Sequence, residues 1–451
     1  MLDLYFFLTG LVVVAGTVWG VWGANDTLHP LVYLLPMAGF FYIYVPVSLY
    51  VEGGLFSYFT VEEITFVQGL NLACVTGLAL GGYYGTKGVR RDAERVDLFS
   101  FTMTSQTRER LKTVGLVLGG VAVAAYVYKI ANVGGFVAAY SHVKGGGATT
   151  SGYIRSIDQL AIPAIVCIYM SRTGTRLTRG KKLLVGMFSV PLLIHGLLSA
   201  RRGPTFLALA TLIAGWYLVR RKRPSLPTIA VGGTAVGLLL LALVTFRGQI
   251  YLGSSFLTGG PSTAEIVEKS LERSTRKELS NEYLNGAYIA LNARDNAGHY
   301  WGKRYLTQLF VRPIPSRIWP TKYEDVGMEA IFYNAGQLRT ADPEQHPKIP
   351  EGAAPGVAAG AYVELGWLAP VFLFLVGWGY ALAWRRSLVQ GGRWTVIYSI
   401  LLSVSAYLVA QSFFAILYRV LLMVIPVLVL WEWFGLSPQY RLKSGSSSVS
   451  A

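Results

Sequence analysis

Stretches of about 20 consecutive apolar residues recur along this chain, and no other feature restricts its fold so strongly. A run of that length, wound as a helix, covers the hydrocarbon thickness of a bilayer. Inside lipid every backbone N–H and C=O needs a partner within the protein, which a helix supplies from its own segment. We place such spans at 3–22, 30–50, 63–84, 113–131, 157–171, 183–200, 204–219, 227–246, 358–384, 394–412 and 414–434. The expected fold class is all-α: a polytopic integral membrane protein of about 11 transmembrane helices with one large exterior loop of short helices. Four regions follow: transmembrane helices one to eight in 1–246, the large loop in 247–357, three further helices in 358–434, and a tail in 435–451. The first run has neither a basic leader nor a small-residue cleavage site, so it reads as a retained span. Cys74 and Cys167 both fall inside apolar runs and support neither a disulfide framework nor a metal site.

Charge orients the spans. Lysine and arginine gather in alternate short loops: Lys87 to Lys112, Arg172 to Lys182, the "RRKR" at 220–223, Arg385 to Arg393, and the tail at Arg441 and Lys443. Together with the 23–29 loop on the same side, which carries Asp26, those segments hold 21 basic residues against five acids, which accounts for the whole formal excess of +16. The positive-inside rule makes them cytoplasmic, with the N-terminus on the exterior face and the C-terminus in the cytoplasm. A charge of this size otherwise suggests nucleic acid, but here it is spent on topology, and no nucleic-acid partner is expected. Three exterior segments remain, at 51–63, 132–156 and 247–355, and the third carries 13 basic and 12 acidic residues. Its stretch 263–294 mixes acids and bases near i,i+4 spacing, as a solvated helix does. In 303–327 prolines and aromatics interrupt any regular element. A loop of this length in a compact membrane protein is usually functional.

The segment "LLSARRGPTFLALATL" (197–212) places Arg201 and Arg202 at the exterior tip of a tight turn between two spans. Arginine near a helix end often snorkels to lipid headgroups. Arg247, which ends the span "LLLALVTFR", and Arg419, about a turn and a half inside the span "FFAILYRVLLM", occupy comparable depth. An arginine inside an apolar helix costs about 2.5–3.5 kcal/mol on insertion scales and usually faces a cavity or a partner. Several arginines converging at the outer leaflet would suit a diphosphate, since guanidinium forks bind phosphate oxygens and remain charged at any accessible pH.

Four features bear a family likeness. An arginine follows a small residue at the tip of a mid-chain exterior hairpin ("SARRGP"). A span ends in an arginine that opens the large loop ("LVTFRGQIYLGSS"). The loop holds "RPIPSRIWPTK" (312–322), and "EGAAPGVAAGAYVELGWLAP" (351–370) is a small-residue stretch leading into a helix with a Glu-Leu-Gly turn. In these the chain resembles the O-antigen polymerase superfamily, the Wzy-type oligosaccharide repeat-unit polymerases, most nearly the branch of the enterobacterial common antigen polymerase. The likeness covers most of the chain in topology and about four short stretches in residues.

That resemblance implies a GT-C-like membrane glycosyltransferase in the bacterial inner membrane with its active site facing the periplasm. Such enzymes polymerise oligosaccharide repeat units built on undecaprenyl diphosphate. The growing glycan moves from its lipid diphosphate to a hydroxyl of a new lipid-linked unit. Membrane lipid, a flippase that supplies units and a chain-length regulator are the implied partners. The reaction needs stabilisation of the departing diphosphate and a base for the acceptor hydroxyl. Arg201, Arg202, Arg247, Arg419, Arg312, Arg317 and Lys322 are the candidates for the first task. Glu351, Glu364 and His346 are the candidates for the second, with Glu324 and Asp325 nearby. Each has a plainer reading: His346 as a solvated loop histidine, Glu364 as the partner of Arg202 or Arg419 in an ion pair. No cofactor is expected. No exterior Asp-x-Asp and no His/Cys spacing of ligand type argues for a metal, and Glu62 and Glu63 read as a helix start. His195 reads as a core histidine and His142 as part of a flexible glycine-rich loop. An O-antigen ligase, with lipid A core as acceptor, would use the same arginines. A transporter or flippase is the rival from another class, although no internal repeat supports it.

Overall fold

The computed structural model describes residues 1–87, 99–101, 104–141, 154–172, 177–246, 281–295, 298–315, 318–327, 354–436 and 440–442. Among them, nine helices are long and apolar enough to cross a membrane: Leu2–Gly23, Pro30–Val51, Val61–Gly85, Ser105–Asn132, Arg179–Leu198, Arg202–Arg220, Gly356–Val389, Arg393–Ala410 and Phe413–Trp433. The protein is therefore a multi-pass helical membrane protein. The other two expected spans correspond to shorter apolar helices, Ser156–Met170 and Leu226–Leu240. The departure from helix among the described residues is one antiparallel pair, β1 (Phe99–Phe101) with β2 (Tyr440–Leu442).

Helix starts follow ordinary capping chemistry. Thr60 and Glu63 form a reciprocal capping box, with the Glu63 carboxylate accepting from the Thr60 N–H at 2.9 Å. Glu63 is thus a cap and Glu62 a first-turn acid, as the sequence suggests. Thr104 and Thr178 cap the helices that begin at Ser105 and Arg179. His29 caps Pro30–Gly39 by accepting from the Leu31 N–H, its ring wedged edge-on against Trp19 and Trp384. Burial pushes the His29 imidazole down to about 3, so it remains a neutral acceptor throughout the physiological range.

The centre of the bundle is a close crossing of Val61–Gly85 with Ala369–Val389. A Cβ at Gly77 would stand 2.2 Å from the Pro370 carbonyl oxygen, and one at Gly81 1.9 Å from that of Phe374. Gly377 presents the same constraint in return, 2.3 Å from the Leu78 oxygen. With lipid outside as apolar as the side chains inside, association in the membrane relies on such small-residue contact between backbones. Gly81→Ala is therefore expected to cost about 1–3 kcal/mol by overpacking, seen as a lower unfolding midpoint in detergent. Gly379→Ala, on the partner helix with nothing within 4 Å of its Cβ, should leave the midpoint unchanged or raise it slightly.

The basic loops collect at one end. The Arg223 Nε lies 2.5 Å from Asp26 Oδ1, and the Trp384 indole donates to Asp26 Oδ2 at 2.8 Å. Arg385 donates to the Lys87 carbonyl, Arg172 to that of Val219, and Arg110 to that of Phe434. Alternate loops thus share an end, as the charge pattern requires of a bundle threaded back and forth.

Two expectations need correction. The stretch 263–294 is no solvated helix over its described part. Helix Asn281–Asp295 is inserted between Val61–Gly85 and Gly356–Leu365, with Tyr283, Leu284, Ala287, Tyr288, Ala290 and Leu291 buried. Its apolar residues outweigh the charges at its ends, and Gly286 admits the Pro355 carbonyl, 2.5 Å from where its Cβ would be. The expected span 358–384 falls within the crossing Gly356–Val389 but is not one continuous α-helix: Gly366, at φ +56°, divides it into Gly356–Leu365 and Ala369–Val389.

Candidate functional site at the end opposite the basic loops

The turn that opened the question about arginine is built tightly. Helix Arg179–Leu198 ends, Ala200 adopts φ +48°, and the Arg201 N–H donates back to the Gly196 carbonyl at 2.8 Å. Arg201 is the extended cap residue of the next helix, Arg202–Arg220. Gly203 lies against Tyr407, whose hydroxyl would be 1.8 Å from any Cβ there. That glycine is what lets the arginine turn approach the end of helix Arg393–Ala410.

Tyr407 is the hub of a charged cluster. The Arg419 guanidinium stacks over its ring at 4.1 Å and lies 5.3 Å from the ring of Tyr418. The Arg312 guanidinium lies 5.1 Å from the centroid of the Tyr418 ring and donates to Gln308 Oε1 at 2.9 Å. Arg201, Arg419 and Asp158 all act electrostatically on the Tyr407 hydroxyl. Beneath them Lys129 Nζ contacts Asp158 Oδ2 at 2.6 Å in a pair with both side chains buried. Asp158 also faces Arg419. A buried ion pair survives in such surroundings only with good geometry and further hydrogen bonds.

Arg419 is the least satisfied member. Its Nε and Nη1 are shielded from solvent and have no hydrogen-bond partner among the described residues. Helix Phe413–Trp433 starts at the Ser412 cap, so Arg419 stands about 9 Å along its axis. Leaving guanidinium donors unpaired at that depth is costly unless they serve an anion.

The other expected residues divide. Arg202 pairs with Glu282 at 2.6 Å and ties the arginine turn to helix Asn281–Asp295. Lys322 is buried and donates to the carbonyls of Arg312 and Ile314, so it holds the loop together. Glu364 is completely buried. Its partner is Arg304, not Arg202 or Arg419. Asp325 accepts from Trp319 Nε1 at 2.5 Å and Thr321 Oγ1 at 2.8 Å, and these bonds hold its carboxyl below the usual carboxylate range. It is thereby a fixed acceptor. Arg247, Arg317, His346 and Glu351, with His142, lie outside the described residues.

Lys129 and Asp158 were missed from the sequence although both stand within expected spans, at 113–131 and 157–171. Applying to every intramembrane charge the scrutiny given to the arginines would have found them. Tyr407 and Tyr418 had no comparable signal among 27 tyrosines. Among the described residues no group of three or more His, Cys, Asp and Glu side chains could hold a metal ion. No family model, curated protein or solved structure matches this chain.

Proposed function

We propose that this protein is a membrane glycosyltransferase that polymerises oligosaccharide repeat units carried on undecaprenyl diphosphate. The observation that supports this reading best is the meeting of Arg201, Arg312 and Arg419 around Tyr407 and Tyr418, with buried, unpartnered donors on Arg419. Fixed cations at the membrane surface stabilise a leaving diphosphate without reorganising during the reaction. Arg202, next to Arg201 in the chain, anchors the same turn through Glu282. Glu364 is engaged by Arg304, so the acceptor hydroxyl's proton falls to Glu351 or His346 in the large loop. The bacterial inner membrane is the setting this chemistry implies, with the cluster on the periplasmic face and the C-terminus in the cytoplasm. A flippase would supply the units and a chain-length regulator would set their number.

The test is synthesis by the purified protein in proteoliposomes containing a lipid-linked repeat unit, with EDTA present, read as product length on a gel. A ladder of regularly spaced products supports the polymerase. A single addition that needs lipid A core as acceptor would assign a ligase, and movement of the lipid-linked unit across the bilayer without any new glycosidic bond would assign a transporter.

A further inference from the structure

The segment from Trp301 to Ile314 is polar on the wrong side for a loop in water. It consists of helix Lys303–Leu306 running into a wider helical turn, Thr307–Val311. Facing outward are Trp301 at 65% exposure, Leu306 at 57% and Phe310 at 68%. Facing inward are Arg304 on Glu364, Thr307 and Gln308 at 4% and 0% exposure, and Arg312 on Tyr418. Lys303 is the exposed charge, and it lies at the start of the segment.

The segment also descends. Tyr305 lies against Phe413 and Phe414, at the start of helix Phe413–Trp433, with ring centroids 5.6 and 6.4 Å apart. Seven residues later Arg312 is beside Tyr418. Four to five residues along that helix is about 6–7.5 Å of depth. Tyr305 also stacks on Phe372, next to the exposed Val371 and Leu375 of a membrane-spanning helix. The outward apolar edge thus adjoins the exposed apolar face of that membrane-spanning helix.

We infer that Trp301–Ile314 is a re-entrant wedge whose Trp301, Leu306 and Phe310 edge is immersed in the acyl chains of the outer leaflet. Its polar edge closes the arginine cluster from the side. Interfacial helices ordinarily turn their polar face to water; this one turns it to protein, which is where polar groups at membrane depth find partners. The inference needs the chain to span a membrane and does not depend on the glycosyltransferase reading.

Labelling Phe310→Cys with an environment-sensitive fluorophore tests it, in full-length protein reconstituted into phosphatidylethanolamine/phosphatidylglycerol vesicles. Cys74 and Cys167 are fully buried, so unlabelled wild type sets the background. The expected result is blue-shifted emission, loss of fluorescence to acyl-chain spin labels as large as for Leu375→Cys, and no loss to iodide. Leu306→Cys repeats the measurement should the first variant fold poorly. Quenching by iodide would put the edge in water, and protection from both quenchers would mean that a second protein surface covers it. Either overturns the wedge.

Discussion

Arg419→Ala is expected to lower polymer synthesis by about 10²- to 10³-fold, the usual effect of removing one preorganised donor from a site of developing negative charge. The loss should appear in the rate at saturating lipid-linked unit, because the guanidinium is asked to hold the diphosphate as it departs. Folding should survive, since Asp158 keeps Lys129 as its partner at 2.6 Å when Arg419 is gone. Arg419→Lys restores the charge without the planar fork and should recover only part of the activity. Unchanged synthesis in Arg419→Ala, with the protein still folded, would make the residue a cation held for Asp158 and Tyr407 alone.

Asp158→Asn should be the most destabilising single change in the cluster. It removes the carboxylate that opposes the buried Lys129 at 2.6 Å, and breaking a buried pair from one side costs about 3–5 kcal/mol. The measurement is the unfolding midpoint in detergent or bilayer. Lys129→Met combined with Asp158→Leu removes both charges and should return the midpoint close to that of wild type. Activity should not return with it, because the charge of Asp158 that acts on Arg419 is lost as well. A double variant as unstable as the single one would show that the pair contributes more than mutual neutralisation.

Local features were legible in the chain wherever one segment decides the outcome. Apolar run length marked helices at every expected span, the Thr60 and Glu63 spacing marked a cap, and alternate basic loops marked a shared end of the bundle. The arginine turn was legible too, since Gly203 and Pro204 open the helix that follows Arg201. Charge spacing misread the described part of 263–294 because it registers charges without knowing the neighbours: over 281–295 the packing of Gly286 on Pro355 buries the helix between two others.

Which charges meet was decided by the tertiary structure. Glu364 found Arg304, 60 residues away along the chain, and Arg202 found Glu282, 80 away. Lys129 and Asp158 became a pair only when the helix that ends at Asn132 and the segment that begins at Ile154 came together. The inverted polarity of Trp301–Ile314 is likewise invisible in its composition, because side-chain direction in a short irregular segment depends on what it rests against. Sequence determines where a chain turns helical and which ends carry charge, since those follow from spacing and transfer energy within one segment. The partners at the centre of the cluster follow from helix rotation and close approach, which arise from contacts between distant segments.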